Sequence, residues 1–117
     1  MSGKLTTHVL DTVRGRPAAE IAIELWAIDP ATNLSTPIKS AITNADGRAP
    51  LLADGNLKIG WYELIFEIGS YFSEFYEPDT LAFLDRVPIR FGVANSDAHY
   101  HVPLLISPWS YSTYRGS

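Results

Sequence analysis

The feature that most limits the fold of this chain is a two-residue alternation of apolar and polar side chains, repeated in short runs. From Trp61 to Ile68, one face collects Tyr62, Leu64, Phe66 and Ile68, and the other Trp61, Glu63, Ile65 and Glu67. This period belongs to a half-buried strand, because successive strand side chains point to opposite sides. Ile21, Ile23, Leu25 and Ala27 alternate with Ala22, Glu24, Trp26 and Ile28 in the same way. Arg86 to Val93 is a third run, whose Pro88 points to a sheet edge or a strand start. Turn clusters punctuate the runs: Arg14-Gly15-Arg16-Pro17, Asp29-Pro30-Ala31-Thr32-Asn33, Asn44-Ala45-Asp46-Gly47 and Ala53-Asp54-Gly55-Asn56. Gly and Asn tolerate positive φ there, and Pro fixes a negative one. Seven or eight short strands with turns at intervals of about ten residues read as an all-β antiparallel sandwich rather than as β-α-β units. One segment breaks the pattern. Tyr71, Phe72, Phe75 and Tyr76 recur at helical spacing, which predicts one short helix between Ser70 and about Leu84, with Pro78 limiting its extent.

Size and charge narrow the function. A chain of 117 residues is expected to form one domain, 1–117, and to bury roughly two-thirds of its unfolded surface. With no Cys there is no disulfide framework, thiol nucleophile or sulfur metal ligand, and the cytoplasm is the expected compartment. No apolar leader opens the chain, and no run approaches the ~18 apolar residues of a membrane span, so no membrane is expected as a partner. The net charge of −4, from 9 Lys and Arg against 13 Asp and Glu with no basic run, argues against nucleic acid and points to a small molecule.

Three histidines, one arginine and the tail carry what chemistry the sequence offers. His8 lies in the strand-like run Leu5 to Asp11, on the face it shares with Thr6 and Leu10, and His99 and His101 share a face in a later run. A single strand histidine is more often a hydrogen-bonded structural residue than a catalyst. The spacing of His99 and His101 suits two metal ligands, but zinc takes three or four and no further ligand stands at a fitting spacing, so neither metal nor cofactor is expected. Arg48, just after Asp46-Gly47, reads by itself as a solvated turn arginine. Neither a Gly-x-Ser-x-Gly elbow nor a Gly-x-x-x-x-Gly-Lys loop occurs. Termini usually fray unless docked, yet Trp109 to Tyr114 is rich in aromatic, β-favouring residues. A docked tail strand is therefore expected, bringing the Tyr114 phenol, the Arg115 guanidinium and the Ser117 hydroxyl to whatever it packs against.

Thr7-His8-Val9-Leu10-Asp11-Thr12, Gly15-Arg16-Pro17-Ala18-Ala19, Asp46-Gly47-Arg48, Tyr100-His101-Val102-Pro103-Leu104-Leu105 and the final Tyr114-Arg115-Gly116-Ser117 together resemble the transthyretin-related protein family, in its 5-hydroxyisourate hydrolase branch. The resemblance covers nearly the whole chain, and the last tetrapeptide is its specific element, marking hydrolases as against hormone-carrying transthyretins. It implies a transthyretin-like sandwich of two four-stranded sheets with one short helix, and a homotetramer, a dimer of dimers, with active sites in the channel between dimers. It implies hydrolysis of 5-hydroxyisourate to 2-oxo-4-hydroxy-4-carboxy-5-ureidoimidazoline in urate degradation. The family's catalytic set falls on His8, Arg48 and His101, with Tyr114 completing it, and Arg48, Tyr114, Arg115, Gly116 and Ser117 are implied to bind substrate. His99 lies outside that set and reads as a structural or supporting residue. Trp109 and the segment from Tyr76 to Arg86 depart from the family's usual pattern. The competing reading is a non-catalytic carrier of a small aromatic ligand, which would gain nothing from unpaired polar groups at a buried site.

Overall fold

The computed structural model describes residues 2–117. Among the described residues nine strands occupy the alternating runs, in the order β1 (Lys4–Asp11), β2 (Arg16–Pro17), β3 (Ala22–Ile28), β4 (Ser35–Ile42), β5 (Arg48–Leu52), β6 (Gly60–Glu67), β7 (Arg86–Val93), β8 (His99–Ile106) and β9 (Tyr111–Thr113). They form two sheets. The second runs β4-β3-β6-β7, all antiparallel, and its β7 is an edge strand, where Pro88 removes no interior ladder bond. The first runs β2-β1-β8-β9, with β5 also pairing with β1.

The expected two four-stranded sheets need one correction. The first sheet has five strands, because the turn after β1 folds Arg16 and Pro17 back against Asp11 and Leu10 as a two-residue strand. Its pairing is also not wholly antiparallel: β1 and β8 run parallel in register from Lys4 opposite His99 to Asp11 opposite Ile106. A parallel pair needs a long crossover, and here the whole second sheet lies between the two strands in sequence.

The core is the inner face of both sheets. Leu5 and Val9 of β1, Ile23 and Leu25 of β3, Leu64 and Phe66 of β6 and Leu104 and Ile106 of β8 are buried between them, as sheet-on-sheet packing requires. Consequently Thr6, His8 and Leu10 of β1 and His99 and His101 of β8 stand on the opposite, outer face of the first sheet.

The helix is shorter and earlier than the aromatic spacing predicts. It spans Ile68–Tyr71, is followed by a 3₁₀ turn at Ser73–Phe75, and gives way to irregular chain from Tyr76 to Asp85. Phe72 and Phe75 still pack edge to face, with ring centres 5.8 Å apart, so the aromatic periodicity is met by two tight turns in place of one helix. The loop returns to the start of the helix, where the amides of Ile68 and Gly69 both donate to the Asp85 carbonyl. Asp79 takes a positive φ of 65° one residue after Pro78, which excludes a continuing helix.

Among the described residues Asp11 is the one carboxylate sealed in this core, with no exposed surface. Burial pushes its pKa up. The Arg14 guanidinium and amide, the Tyr71 hydroxyl and the Val13 amide all donate to it and more than offset that, holding the carboxyl below its usual value. The cluster ties the end of β1 to the helix. Asp11→Ala is expected to lower unfolding stability by about 2 kcal/mol, since it strands the Tyr71 hydroxyl and leaves Arg14 only its Glu74 partner; urea titration of both proteins measures this directly.

Candidate active site

Three strands distant in sequence bring the candidate residues together on the outer face of the first sheet. β5 pairs antiparallel with β1 and sets Arg48 opposite His8, while β8 on the other flank of β1 sets His101 opposite Thr6. The turn before β5 fixes the start of this register. Gly47 adopts φ 74°, and a side chain there would come within 2.5 Å of the Val9 carbonyl, which accepts no such approach. Asn44 completes the turn, its side-chain oxygen accepting the amides of Asp46 and Arg48 at 2.9 and 3.0 Å. The β1–β5 ladder shifts by one residue between Leu5 and Thr6, so a bulge lies beside the site.

A cavity of about 320 Å³ is lined by Thr6, Thr7, Arg48, Pro50, His99, His101 and Ser117. His8 flanks it on β1, opposite Arg48. Among the described residues the side chains of His8 and Arg48 make no hydrogen bond, so both are free to meet a ligand. His101 is half-buried, and Thr6 Oγ1 lies 2.8 Å from its Nδ1, leaving Nε2 unengaged within the chain. Burial first, then the positive Arg48 and the neighbouring His99 and His8, pull the His101 pKa below that of an ordinary histidine. The ring is therefore held in its neutral, proton-accepting form at neutral pH.

The tail docks as the sequence predicts. β9 pairs with the end of β8, Thr113 donates its hydroxyl to the Pro103 carbonyl at 2.6 Å, and the Gly116 amide donates to the His101 carbonyl at 2.8 Å. The Arg115 guanidinium sits 4.3 Å from the centre of the Tyr100 ring, a cation–π contact that anchors the last residues. The docking divides the tail's residues. Ser117 reaches the cavity of Arg48 and His101, whereas Tyr114 and Arg115 line a neighbouring cavity of about 330 Å³ with Ile89, Phe91 and Thr113. His101 is the one residue common to both cavities. Trp109 is turned away from both and packs edge to face on Phe75.

Sequence reasoning left Thr6 unassigned, although its hydroxyl touches both histidines of β8. The available signal was its place on the His8 face, two residues away. Among the described residues no group of three or more His, Asp or Glu is placed to hold a metal.

The HIUase/Transthyretin family model matches residues 5–116. The chain belongs to that family. It is 57% identical to a 5-hydroxyisourate hydrolase of Ralstonia nicotianae over 98% of this chain and 99% of that one. Among solved structures, it resembles the Klebsiella pneumoniae 5-hydroxyisourate hydrolase with a TM-score of 0.78 and 33% identity, over 97% of this chain and 99% of that one. An (S)-allantoin synthase structure matches with a TM-score of 0.88 and 46% identity over 99% of this chain, which spans only 44% of that protein.

Gly116 is the residue on which the site's shape turns, because a side chain there would meet His101 Cδ2 at 2.6 Å and Pro103 Cγ at 3.2 Å. Gly116→Ala is expected to displace either the ring or the tail and to lower turnover at least tenfold, with the melting temperature nearly unchanged. Kinetics and thermal unfolding on the same preparation check both halves.

Proposed function

We propose that this chain hydrolyses 5-hydroxyisourate, the reaction stated in the names of its hydrolase relatives, with 1–117 acting as one catalytic domain. The observation that carries the reading is the meeting, on one sheet face, of a half-buried neutral imidazole, an unpaired guanidinium and a second imidazole from β8, β5 and β1. Opening an activated cyclic amide requires a deprotonated water, a counter-charge for the developing oxyanion and a proton for the leaving nitrogen. His101 Nε2 takes the water's proton, a contribution of typically ~10² to 10⁴-fold. Arg48 offers planar paired donors to the substrate's oxygens and to the oxyanion, a type of contact whose loss typically costs about 3 kcal/mol. His8, opposite Arg48, holds the far side of the ring. The Ser117 hydroxyl and the Gly116 backbone complete the binding surface. Tyr114 and Arg115 bound it from the neighbouring cavity through their contacts around His101 and Tyr100. No cofactor takes part in these steps.

The same proposal includes a homotetramer. The site lies on an open sheet face with Arg48 and His99 exposed, and a second protomer facing it would turn that face into the wall of a water-filled channel. Ile42, Ile59 and Trp61 are also left 65%, 69% and 49% exposed, apolar surface that association would cover. Light scattering reads the assembly. Among the described residues no helix is long and apolar enough to cross a membrane; a cytoplasmic location is proposed on composition, and cell fractionation checks it.

Generating 5-hydroxyisourate in place from urate and uricase, and following its decay by absorbance and circular dichroism, tests the activity. Faster decay with a chiral product is expected; decay at the spontaneous rate would replace the hydrolase reading with the carrier. His101→Ala and Arg48→Ala should each lower kcat/KM by about 10² to 10³-fold with the fold retained. The pH profile has a defined sign. Because folding depresses the His101 pKa, the neutral ring persists below the usual ~6.5, and kcat/KM is lost only as pH falls through that lower value. Stability follows the same side, present above ~6.5 and weakening as the unfolded chain takes up the proton first.

A further inference from the structure

Thr6 Oγ1 lies 2.8 Å from His101 Nδ1 and 2.9 Å from His99 Nε2. The two ring centres are 6.1 Å apart, too far for a direct hydrogen bond, so the hydroxyl bridges them. A hydroxyl carries one proton. It can donate to one ring only and must accept from the other, so the tautomers of the two neutral rings are linked. When His101 carries its proton on Nδ1 it donates to Thr6, Thr6 donates to His99 Nε2, and His101 Nε2 is bare and basic. In the reverse arrangement His99 Nε2 donates to Thr6, Thr6 donates to His101 Nδ1, and His101 Nε2 carries a proton. The register makes this bridge possible: Thr6 stands opposite His101 and Lys4 opposite His99 in the parallel ladder. His99 is exposed to solvent, whereas His101 and Thr6 are half-buried.

We propose that His101, Thr6 and His99 form a proton relay that moves positive charge from the reacting imidazole to the solvent-exposed one during the hydrolysis proposed above, on which this inference rests. As the water oxygen bonds to the carbonyl carbon, its O–H bond breaks and the proton goes to His101 Nε2. The Nδ1 proton passes to Thr6, and the hydroxyl's own proton passes to His99 Nε2. His99 becomes the imidazolium and His101 stays neutral. When the C–N bond breaks, His101 Nε2 gives its proton to the leaving nitrogen, and the two relay protons return. Atoms and charge balance over the cycle, and the product acid then ionises to solvent.

The physical reason is the surroundings of His101. Arg48 and His8 face it from β5 and β1, and burial disfavours its charged form. An imidazolium held there would be desolvated beside a guanidinium, whereas one at His99 is in water. Thr6 and His99 are thus positioning residues that act through His101.

Three variants and one added base test the relay. His99→Ala, a change at an exposed site, is expected to lower kcat about tenfold with KM unchanged, and added imidazole at constant pH and ionic strength should restore kcat progressively. Thr6→Val should lose a similar factor without imidazole rescue, and Thr6→Ser should recover most of it. A His99→Ala enzyme with wild-type kcat, or one whose loss imidazole does not restore, overturns the relay. Should Thr6→Val fail to fold, the His99→Ala and imidazole pair decides alone. Should the wild type leave 5-hydroxyisourate decay unchanged, the hydrolase reading falls separately, and ¹⁵N NMR of the imidazoles decides the hydrogen-bond linkage. Neutral rings sharing one tautomer in the wild type support it, and opposite tautomers reject it.

Discussion

The parallel pairing of β1 with β8 is the constraint on which the rest of the structure depends. β1 is the central strand of its sheet, bonded to β8 on one side and to β5 and β2 on the other. Because the strand period is two, this one register settles two things together. Leu5, Thr7, Val9 and Asp11 go inward with Tyr100, Val102, Leu104 and Ile106, and Thr6 and His8 go outward with His99 and His101. A slip of one residue would bury the histidines and expose the leucines, which costs apolar burial all along both strands. The core therefore holds the strand-borne residues of the site in register.

What the core does not fix, local geometry does. Gly47 lets the chain turn tightly enough against Val9 for Arg48 to begin β5 directly opposite His8. Gly116 lets the tail lie on the His101 ring. In both places the absent side chain is what matters, since each contact is a backbone approaching an already packed group. Thr7 and Thr43 show the complementary device inside. Their buried hydroxyls donate to the Val102 and Ala18 carbonyls at 2.6 and 2.7 Å, and among the described residues no buried side-chain nitrogen or oxygen is left unpaired.

Much of this was legible in the sequence, and the reason differs by element. The runs around Ile23, Leu64 and Val87 announce strands because one face is buried and the other wet, and the tail announces a strand because its aromatic residues have a surface to pack on. Pairing partners and direction were not legible. Alternation marks β1 and β8 as strands but carries no information that they lie side by side, still less parallel, across the intervening residues 12–98. The helix was misplaced for a related reason: the spacing of Tyr71, Phe72, Phe75 and Tyr76 records that these rings face one core, and a helical turn followed by a 3₁₀ turn satisfies that as well as one longer helix. Motif resemblance singles out His8, Arg48 and His101, and the sheet register sets them on one face. Tyr114 was expected in the same pocket, but it follows the end of β9 and lines the adjoining cavity with Arg115. Thr6 escaped notice because a threonine in a strand ordinarily signals only β-propensity.

A family that holds both hydrolases and transthyretins shows that this sandwich does not by itself choose a function. On the proposed reading the choice lies on the outer face of the first sheet, where substitutions cost little stability because the core is on the other side. There, a carrier needs an apolar, dry surface, and each polar group placed on it would have to be desolvated by the ligand at a cost of a few kcal/mol. This chain instead presents Arg48, His8, His99 and His101 within one register, with a hydroxyl threaded between two of the imidazoles. On the proposed reading, such a surface suits an anionic, oxygen-rich ring better than an apolar one, with a neutral imidazole beside a fixed positive charge. The features that would weaken a carrier are the ones a hydrolase requires.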